Sequence, residues 1–351
     1  MTKPKLAYYP GDGIGTDVLA AGRKVLAAAG FIADWTDIDW NASLFAATGA
    51  CVPADFLDQL RPYDAIYLGA LGDPAKAPEP VALKPLLDMR RMFQQYACVR
   101  PAYLLPGAVC PLAGKKPGDI DMIVIRENTE GEYADIGGRL HIGTDHEVAT
   151  QVNVFTRAGV ERILRYGFET ARSRKRKKLT LVNKANAQRF GNVFFQEVFE
   201  SLKPEYPDIE TDRQYVDAAA MNFIRCPERF DVIVTTNLFG DILTDVAAVL
   251  IGGMGYAASA NIDPTRKNPS MFEPVHGSAP DIAGKGIANP IAAISAGAML
   301  AEFVGQTPVA DRIRRALTAH LEDGVIRTPD RGGRSTTADV GNDIASRVGK
   351  E

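Results

Sequence analysis

Short apolar runs recur along this chain, separated by segments of helix length. Lys5-Leu-Ala-Tyr-Tyr9, Tyr63 to Leu68, Met122-Ile-Val-Ile125, Leu179-Thr-Leu-Val182 and Asp231-Val-Ile-Val-Thr235 all read as buried strands. A helix is predicted from about Asp17 to Ala29. Another, carrying Arg90 and Arg91, is expected after the proline-rich stretch of Pro74, Pro78, Pro80 and Pro85. Alternating strands and helices are the signature of an α/β protein. Each strand ends in a polar or glycine-rich cluster: PGDGIG, GALG, RENTEGEY, NKAN and NLFGDILTD. Open α/β sheets place their ligands at the carboxyl ends of strands, so these clusters are the candidate site segments.

Composition narrows the picture without changing it. A length of 351 residues suits two compact domains. A hydrophobic content of 46% with 24% charged residues is that of a soluble globular protein. The formal net charge of −3 gives no general attraction to nucleic acid or to an anionic membrane. Cys51, Cys98, Cys110 and Cys226 show no CxxC or metal-type spacing, as expected for reduced thiols in a cytoplasm. No secretion signal is evident at the N-terminus. The longest apolar stretch, Val246 to Gly255, is too short and glycine-rich to span a bilayer. The expectation is a cytoplasmic protein with no membrane or nucleic-acid partner. The one marked charge run, Arg172 to Lys178, has no interleaved aromatics and reads as an exposed helix end.

Candidate chemistry starts at NLFGDILTD. Asp241 and Asp245 stand four residues apart, so a helix projects both carboxylates from one face. Their mutual repulsion is relieved by a cation that prefers hard oxygen ligands, or else they form a solvated acidic face. Gly11-Asp-Gly-Ile-Gly15 invites a Rossmann assignment, but the third glycine arrives one residue early, and Asp12 would stand beside a pyrophosphate. The spacing excludes that fingerprint while still implying a tight turn. Arg90, Arg100 and Arg126 are guanidinium groups suited to a di- or tricarboxylate. Lys184 and Tyr133 are a candidate proton-transfer pair. Asp217 is a carboxylate in an apolar context, expected to be buried and paired or metal-bound. The long loop Phe272 to Asn289 carries isolated polar groups and suits an adenine nucleotide, with Asp281 accepting from a ribose diol.

Together the segments PGDGIG, LLDMRR, VRP, RENTEGEY, VNKAN, NLFGDILTD and FEPVHGSAPDIAGKGIANP resemble the β-decarboxylating dehydrogenases: isocitrate, 3-isopropylmalate, homoisocitrate and tartrate/D-malate dehydrogenases. The resemblance covers nearly the whole chain. It implies an isocitrate/isopropylmalate dehydrogenase-like two-domain α/β fold rather than a Rossmann fold. A large discontinuous domain, 1–99 with 256–351, would hold the nucleotide side. A smaller inserted domain, 100–255, would carry the dimer interface and the metal aspartates. It implies a homodimer with shared active sites, in which Asp241 and Asp245 of one subunit and Asp217 of the other bind Mg²⁺ or Mn²⁺. Arg90, Arg100 and Arg126 would hold the substrate carboxylates. Lys184 from the neighbouring subunit, with Asp217, would deprotonate the C2 hydroxyl, and Tyr133 would protonate the enol after CO₂ leaves. Glu273, His276, Gly277, Asp281 and Asn289 would contact the nucleotide. Asp281 would repel a 2′-phosphate, which favours NAD.

The segment before Arg90 bears on the substrate. Lys84 and Leu86 stand where isocitrate enzymes tend to have Ser and Asn, and Leu87 stands where homoisocitrate enzymes carry an arginine. Leu86 and Leu87 would suit an isopropyl group, yet RENTEG departs from the isopropylmalate pattern. GEYADIGGR, NVFTRAGVERILRYGFE and NIDPTRKNPSMFEP look most like tartrate/D-malate enzymes, although the tryptophan many of them carry between 80 and 84 is missing. The expectation is NAD- and metal-dependent oxidative decarboxylation of D-malate, tartrate or a close relative. The alternatives are a homoisocitrate or 3-isopropylmalate dehydrogenase and, from another class, a non-catalytic regulatory subunit.

Overall fold

The computed structural model describes residues 3–349. β1 (Lys5–Gly11) leads through the glycine turn into α1 (Gly15–Ala28) and β2 (Asp34–Asp37). The short helices α2 (Phe45–Thr48) and α3 (Phe56–Leu60) precede β3 (Ala65–Ala70), α4 (Glu79–Met92) and β4 (Ala97–Tyr103). Next come β5 (Asp121–Glu127), β6 (Gly131–Leu140), β7 (Val148–Val154), α5 (Arg157–Ser173), β8 (Lys178–Asn183) and α6 (Gly191–Leu202). β9 (Glu210–Tyr215), α7 (Val216–Arg225), β10 (Val232–Thr235) and α8 (Asn237–Leu250) follow. The chain continues with β11 (Ala258–Ile262), β12 (Ser270–Pro274), α9 (Ile291–Phe303), α10 (Thr307–Asp323) and α11 (Thr337–Arg347).

The described residues fall into two compact units. Unit 1 comprises the chain up to Gln95, Arg100–Ile120 and everything from Ala248 onward; unit 2 comprises Tyr96–Val99 and Asp121–Ala247. The segments 100–120 and 248–255, which the sequence reading placed in the inserted domain, therefore lie in unit 1. Strand β4 and helix α8 each run across a unit boundary, and no composition shift marks either point.

In unit 1, β2, β1, β3, β12 and β11 lie side by side, parallel except where β11 runs against β12. Helices α1, α9, α10 and α11 pack on one another. Helix α9 is apolar on nearly every side and correspondingly buried. A second core gathers Tyr9, Phe56, Leu68, Met89 and Phe93, with Leu86 packed against it. Helix α4 starts earlier than the prolines led one to expect. Pro80 sits in its first turn, where a missing N–H costs nothing, and Pro85 lies inside it.

In unit 2, β5, β10, β8 and β9 are all parallel. Thr235 is in register with Arg126 on one side and Val182 on the other, so RENTEGEY, NLFGDILTD and NKAN leave the sheet at neighbouring strand ends. Helix α5 buries Val160, Ile163, Leu164, Phe168 and Ala171, and Thr156 caps it by accepting from Gly159 N at 3.0 Å. β6 and β7 form a separate antiparallel ribbon. Among the described residues, no helix is long and apolar enough to cross a membrane.

Candidate active site

The ends of β5 and β10 meet at Arg126, the last but one residue of β5, which is 1% exposed. Its Nε and Nη2 donate to Asn237 Oδ1 at 2.9 and 2.7 Å, and Nη1 donates to Asp241 Oδ1. Tyr133 Oη donates to the other oxygen of Asp241 at 2.9 Å. The guanidinium lies 5.2 Å from the centre of the Tyr133 ring. Asp241 is thus the meeting point of a cation and a phenol, yet its side chain keeps 41% exposure. Asp245, one turn further along α8, is exposed. Close approach of α8 to β5 depends on Gly240, where a Cβ would stand 2.6 Å from Arg126 Cβ and Cγ.

The loop after Arg126 is held from within. Buried Glu127 accepts from Thr129 N at 2.9 Å, Thr129 Oγ1 at 2.7 Å and Glu130 N at 2.8 Å. Burial pushes its carboxyl above the usual range, against the pull of those bonds. Glu130 in turn accepts from Thr156 N at 2.9 Å, tying the loop to the start of α5.

Lys184 follows β8, and its Nζ lies 2.8 Å from Asp217 Oδ1 in the first turn of α7. The hydrogen bond from Lys184 holds the Asp217 carboxyl below its ordinary value. The expectation of a buried Asp217 is wrong: its side chain is 66% exposed. The helix buries Ala219 and Phe223 instead, so the apolar context read from the sequence lies on the opposite face.

Asp241 and Asp245 offer an oxygen-only donor set on one helix face, the chemistry that Mg²⁺ and Mn²⁺ prefer. Among the described residues, no three His, Cys, Asp or Glu side chains gather to form a cage. The pair therefore fits such an ion as part of a site, with the remaining oxygens coming from water, substrate or another chain.

In unit 1, Arg90 on α4 donates through Nη2 to Glu273 Oε1 at 3.0 Å, both side chains being buried. Asn261 Nδ2 donates to the same oxygen at 2.7 Å. Arg90 Nε is buried with no hydrogen-bond partner, an unmet donor that an anion would satisfy. Arg100 Nε lies 3.5 Å from Ser259 Oγ. Leu87 is half-buried, and Lys84 bonds Asp88 one turn along α4.

The expected nucleotide residues divide in two. Glu273 is the counter-ion of Arg90, and buried Asn289 donates to Asp330 Oδ2 at 2.9 Å while accepting from Ile291 N at 3.1 Å at the start of α9. Gly277 and Asp281 are exposed. His276 Nδ1 donates to Gly277 O at 2.9 Å, leaving Nε2 buried without a partner, and burial pushes its pKa below the ordinary value. Asp12 is architectural: buried, it accepts from Ala42 N and Gly72 N, each at 2.9 Å. Gly13 lets that turn close, since a Cβ there would meet Ser278 O at 2.0 Å.

The run Arg172 to Lys178 is consumed by its surroundings. Arg172 pairs with Asp208 at 3.0 Å and Lys177 with the same carboxylate at 3.2 Å. Arg174 bonds Asp231 and Asp121, and Arg176 donates to the carbonyls of Phe230 and Glu228. Sequence reasoning passed over Asn237, Glu127, Asn261 and Asp330. The signal for Asn237 was its place one helical turn before Asp241.

Known proteins give this arrangement its context. The chain matches the isocitrate/isopropylmalate dehydrogenase family over residues 5–344. It is 47% identical over 360 residues to the decarboxylating D-malate dehydrogenase of Escherichia coli K12, covering 99% of both chains. It is 48% identical to a 3-isopropylmalate dehydrogenase of Thermobifida fusca, covering 99% of this chain and 98% of that one. A probable tartrate dehydrogenase/decarboxylase of Agrobacterium vitis is 45% identical over 99% of this chain and 98% of its own. The crystal structure of isocitrate dehydrogenase from Methylococcus capsulatus superposes with a TM-score of 0.90 at 41% identity, over 98% of this chain and 99% of that one. The protein is an enzyme of the decarboxylating hydroxyacid dehydrogenase class. It belongs to the isocitrate/isopropylmalate dehydrogenase family, and its α/β architecture is that family's rather than a Rossmann fold.

Proposed function

We propose that the chain catalyses NAD-dependent, divalent-metal-dependent oxidative decarboxylation of a small 2-hydroxy dicarboxylate, D-malate or tartrate. The observation that carries this reading is Asp241, half-exposed and bonded at once by Arg126 and Tyr133. A cation suited to a substrate carboxylate and a proton donor thus meet on one carboxylate, itself a hard-oxygen ligand. Arg90, Arg100 and Arg126 are assigned to substrate carboxylates, and the unmet Arg90 Nε supports this for Arg90. Lys184, paired with Asp217, takes the proton of the C2 hydroxyl. Tyr133, already a donor through its hydroxyl, returns a proton to carbon once CO₂ has left with the carboxyl carbon. When bound at Asp241 and Asp245, with Asp217 of a second subunit, Mg²⁺ or Mn²⁺ supplies Lewis-acid polarisation, and NAD supplies the hydride acceptor. Glu273, His276, Gly277, Asp281 and Asn289 serve the nucleotide side, and the negative charge of Asp281 favours NAD over NADP.

A homodimer suits unit 2. Met221 and Ile224 are exposed on the helix that carries Asp217, Ile242 is exposed between Asp241 and Asp245, and the β6–β7 ribbon exposes Ile136, Leu140, Val148 and Val152. A second copy would cover this apolar surface. Four free thiols agree with a cytoplasmic setting. The small-substrate preference draws on Lys84 being held by Asp88 and Leu86 being turned into the core. Homoisocitrate and 3-isopropylmalate remain the alternatives. A regulatory subunit is disfavoured because Tyr133, Lys184, Asp217, Asp241 and Asp245 are all in place.

The test is NADH formation with Mn²⁺ across D-malate, the tartrates, 3-isopropylmalate, homoisocitrate and isocitrate. Turnover of D-malate or tartrate that EDTA abolishes supports the reading. Preference for a larger acid moves the specificity, and silence with every substrate sinks the enzymatic assignment.

A further inference from the structure

We infer that Asn237 is a positioning residue that sets the guanidinium of Arg126 for a substrate carboxylate. The inference rests on the proposed role of Arg126 as a carboxylate ligand.

Three observations in unit 2 converge on it. Asn237 Oδ1 accepts from both Nε and Nη2 of Arg126, at 2.9 and 2.7 Å, so one edge of the guanidinium is fixed by a single atom. Asn237 Nδ2 donates to Glu130 O at 3.1 Å, so the same amide also holds the loop that leads from Arg126 to Tyr133. Gly240 leaves the space beside the Arg126 Cβ and Cγ empty. The first turn of α8 is thus shaped around this side chain. Arg126 and Asn237 are each only 1% exposed, so the contact is dry and its geometry is not shared with solvent.

The amide is the informative choice. An amide oxygen accepts two N–H bonds and adds no second negative charge to that of Asp241, which already pairs with the guanidinium. An aspartate would accept the same bonds while quenching the charge left for a substrate, and it would set a carboxylate oxygen against the Glu130 carbonyl. A long arginine has many rotamers, and fixing it beforehand removes an ordering cost that substrate binding would otherwise bear.

The experiment measures KM, kcat and thermal melting with the family substrate turned over fastest, for Asn237→Ala, Asn237→Asp, Arg126→Lys and Arg126→Lys/Asn237→Ala. Asn237→Ala is expected to raise KM about tenfold or more, as for loss of hydrogen bonds to a charged group, with kcat at saturation changed about threefold or less. Asn237→Asp is expected to raise KM similarly, because the charge is quenched. In the Arg126→Lys background, Asn237→Ala is expected to add about twofold or less, since the partner it sets is already gone. If Asn237→Ala does not fold, Asn237→Asp and the Arg126→Lys comparison carry the test. Wild-type KM in the folded Asn237 variants, with Arg126→Lys impaired, would overturn the positioning role and leave Arg126 as a substrate ligand. Wild-type KM in Arg126→Lys would overturn the substrate reading of Arg126 itself, and the inference with it.

Discussion

Arg172 to Lys178 and the set Arg90, Arg100 and Arg126 place cations of the same kind in opposite settings. The first group is contiguous and invites a functional reading, yet Asp208, Asp231, Asp121 and two carbonyls close by engage its members. The second group is scattered along the sequence, yet all three side chains are buried. A charge taken out of water must be compensated, so scattered arginines buried beside distant carboxylates, as Arg90 is beside Glu273 and Arg126 beside Asp241, say more about function than a contiguous run of cations does.

Four substitutions break or sharpen that contrast. Asp241→Asn, which removes the carboxylate shared by Arg126 and Tyr133, is expected to lower kcat/KM by roughly a thousandfold or more with secondary structure intact by circular dichroism. Near-normal turnover would remove Asp241 from the chemistry. Arg90→Ala is expected to raise KM about a hundredfold and also to cost about 3 kcal/mol in chemical denaturation, because Glu273 is left buried and charged. Arg174→Ala should cost a similar 3 kcal/mol or so, since Asp231 is wholly buried, while KM stays within about twofold. An altered KM in that variant would show that the basic run reaches the site after all. Lys177→Ala should leave stability at neutral pH close to the parent's, the pair with Asp208 being exposed. Arg172 and Lys177 hold the Asp208 carboxyl below its ordinary value of 3.8. Their stabilisation is therefore complete above that pH and is lost as acid protonates Asp208 in the folded state. The small melting difference between Lys177→Ala and the parent should close below about pH 3.8.

Much of this was legible in the sequence because its signals are local. The strands announce themselves as apolar runs, and α8 begins where the acid pair required. The early third glycine of PGDGIG ruled out the Rossmann fingerprint without any coordinates. What escaped depends on distance or direction. Arg90 and Glu273 stand 183 positions apart, and nothing local to either names the other. Asp217 was misread because the side of α7 it occupies is decided by packing, not by its apolar neighbours. Asn237 was overlooked because an amide between two charged motifs carries no charge of its own to draw notice. Two of the unit boundaries fall within a strand and a helix, where composition does not change.

Pro85 divides the helix that carries Arg90. It has no N–H to return to the Val81 carbonyl, so α4 is uncoupled for one turn between its first half and the half that bears Arg90. Met89 and Phe93 anchor the second half in the core. Residues ahead of the proline can drift without dragging the arginine with them. Substitutions among residues 79–84 can thus reshape the opening turn of α4 while Arg90 and its bond to Glu273 keep their place.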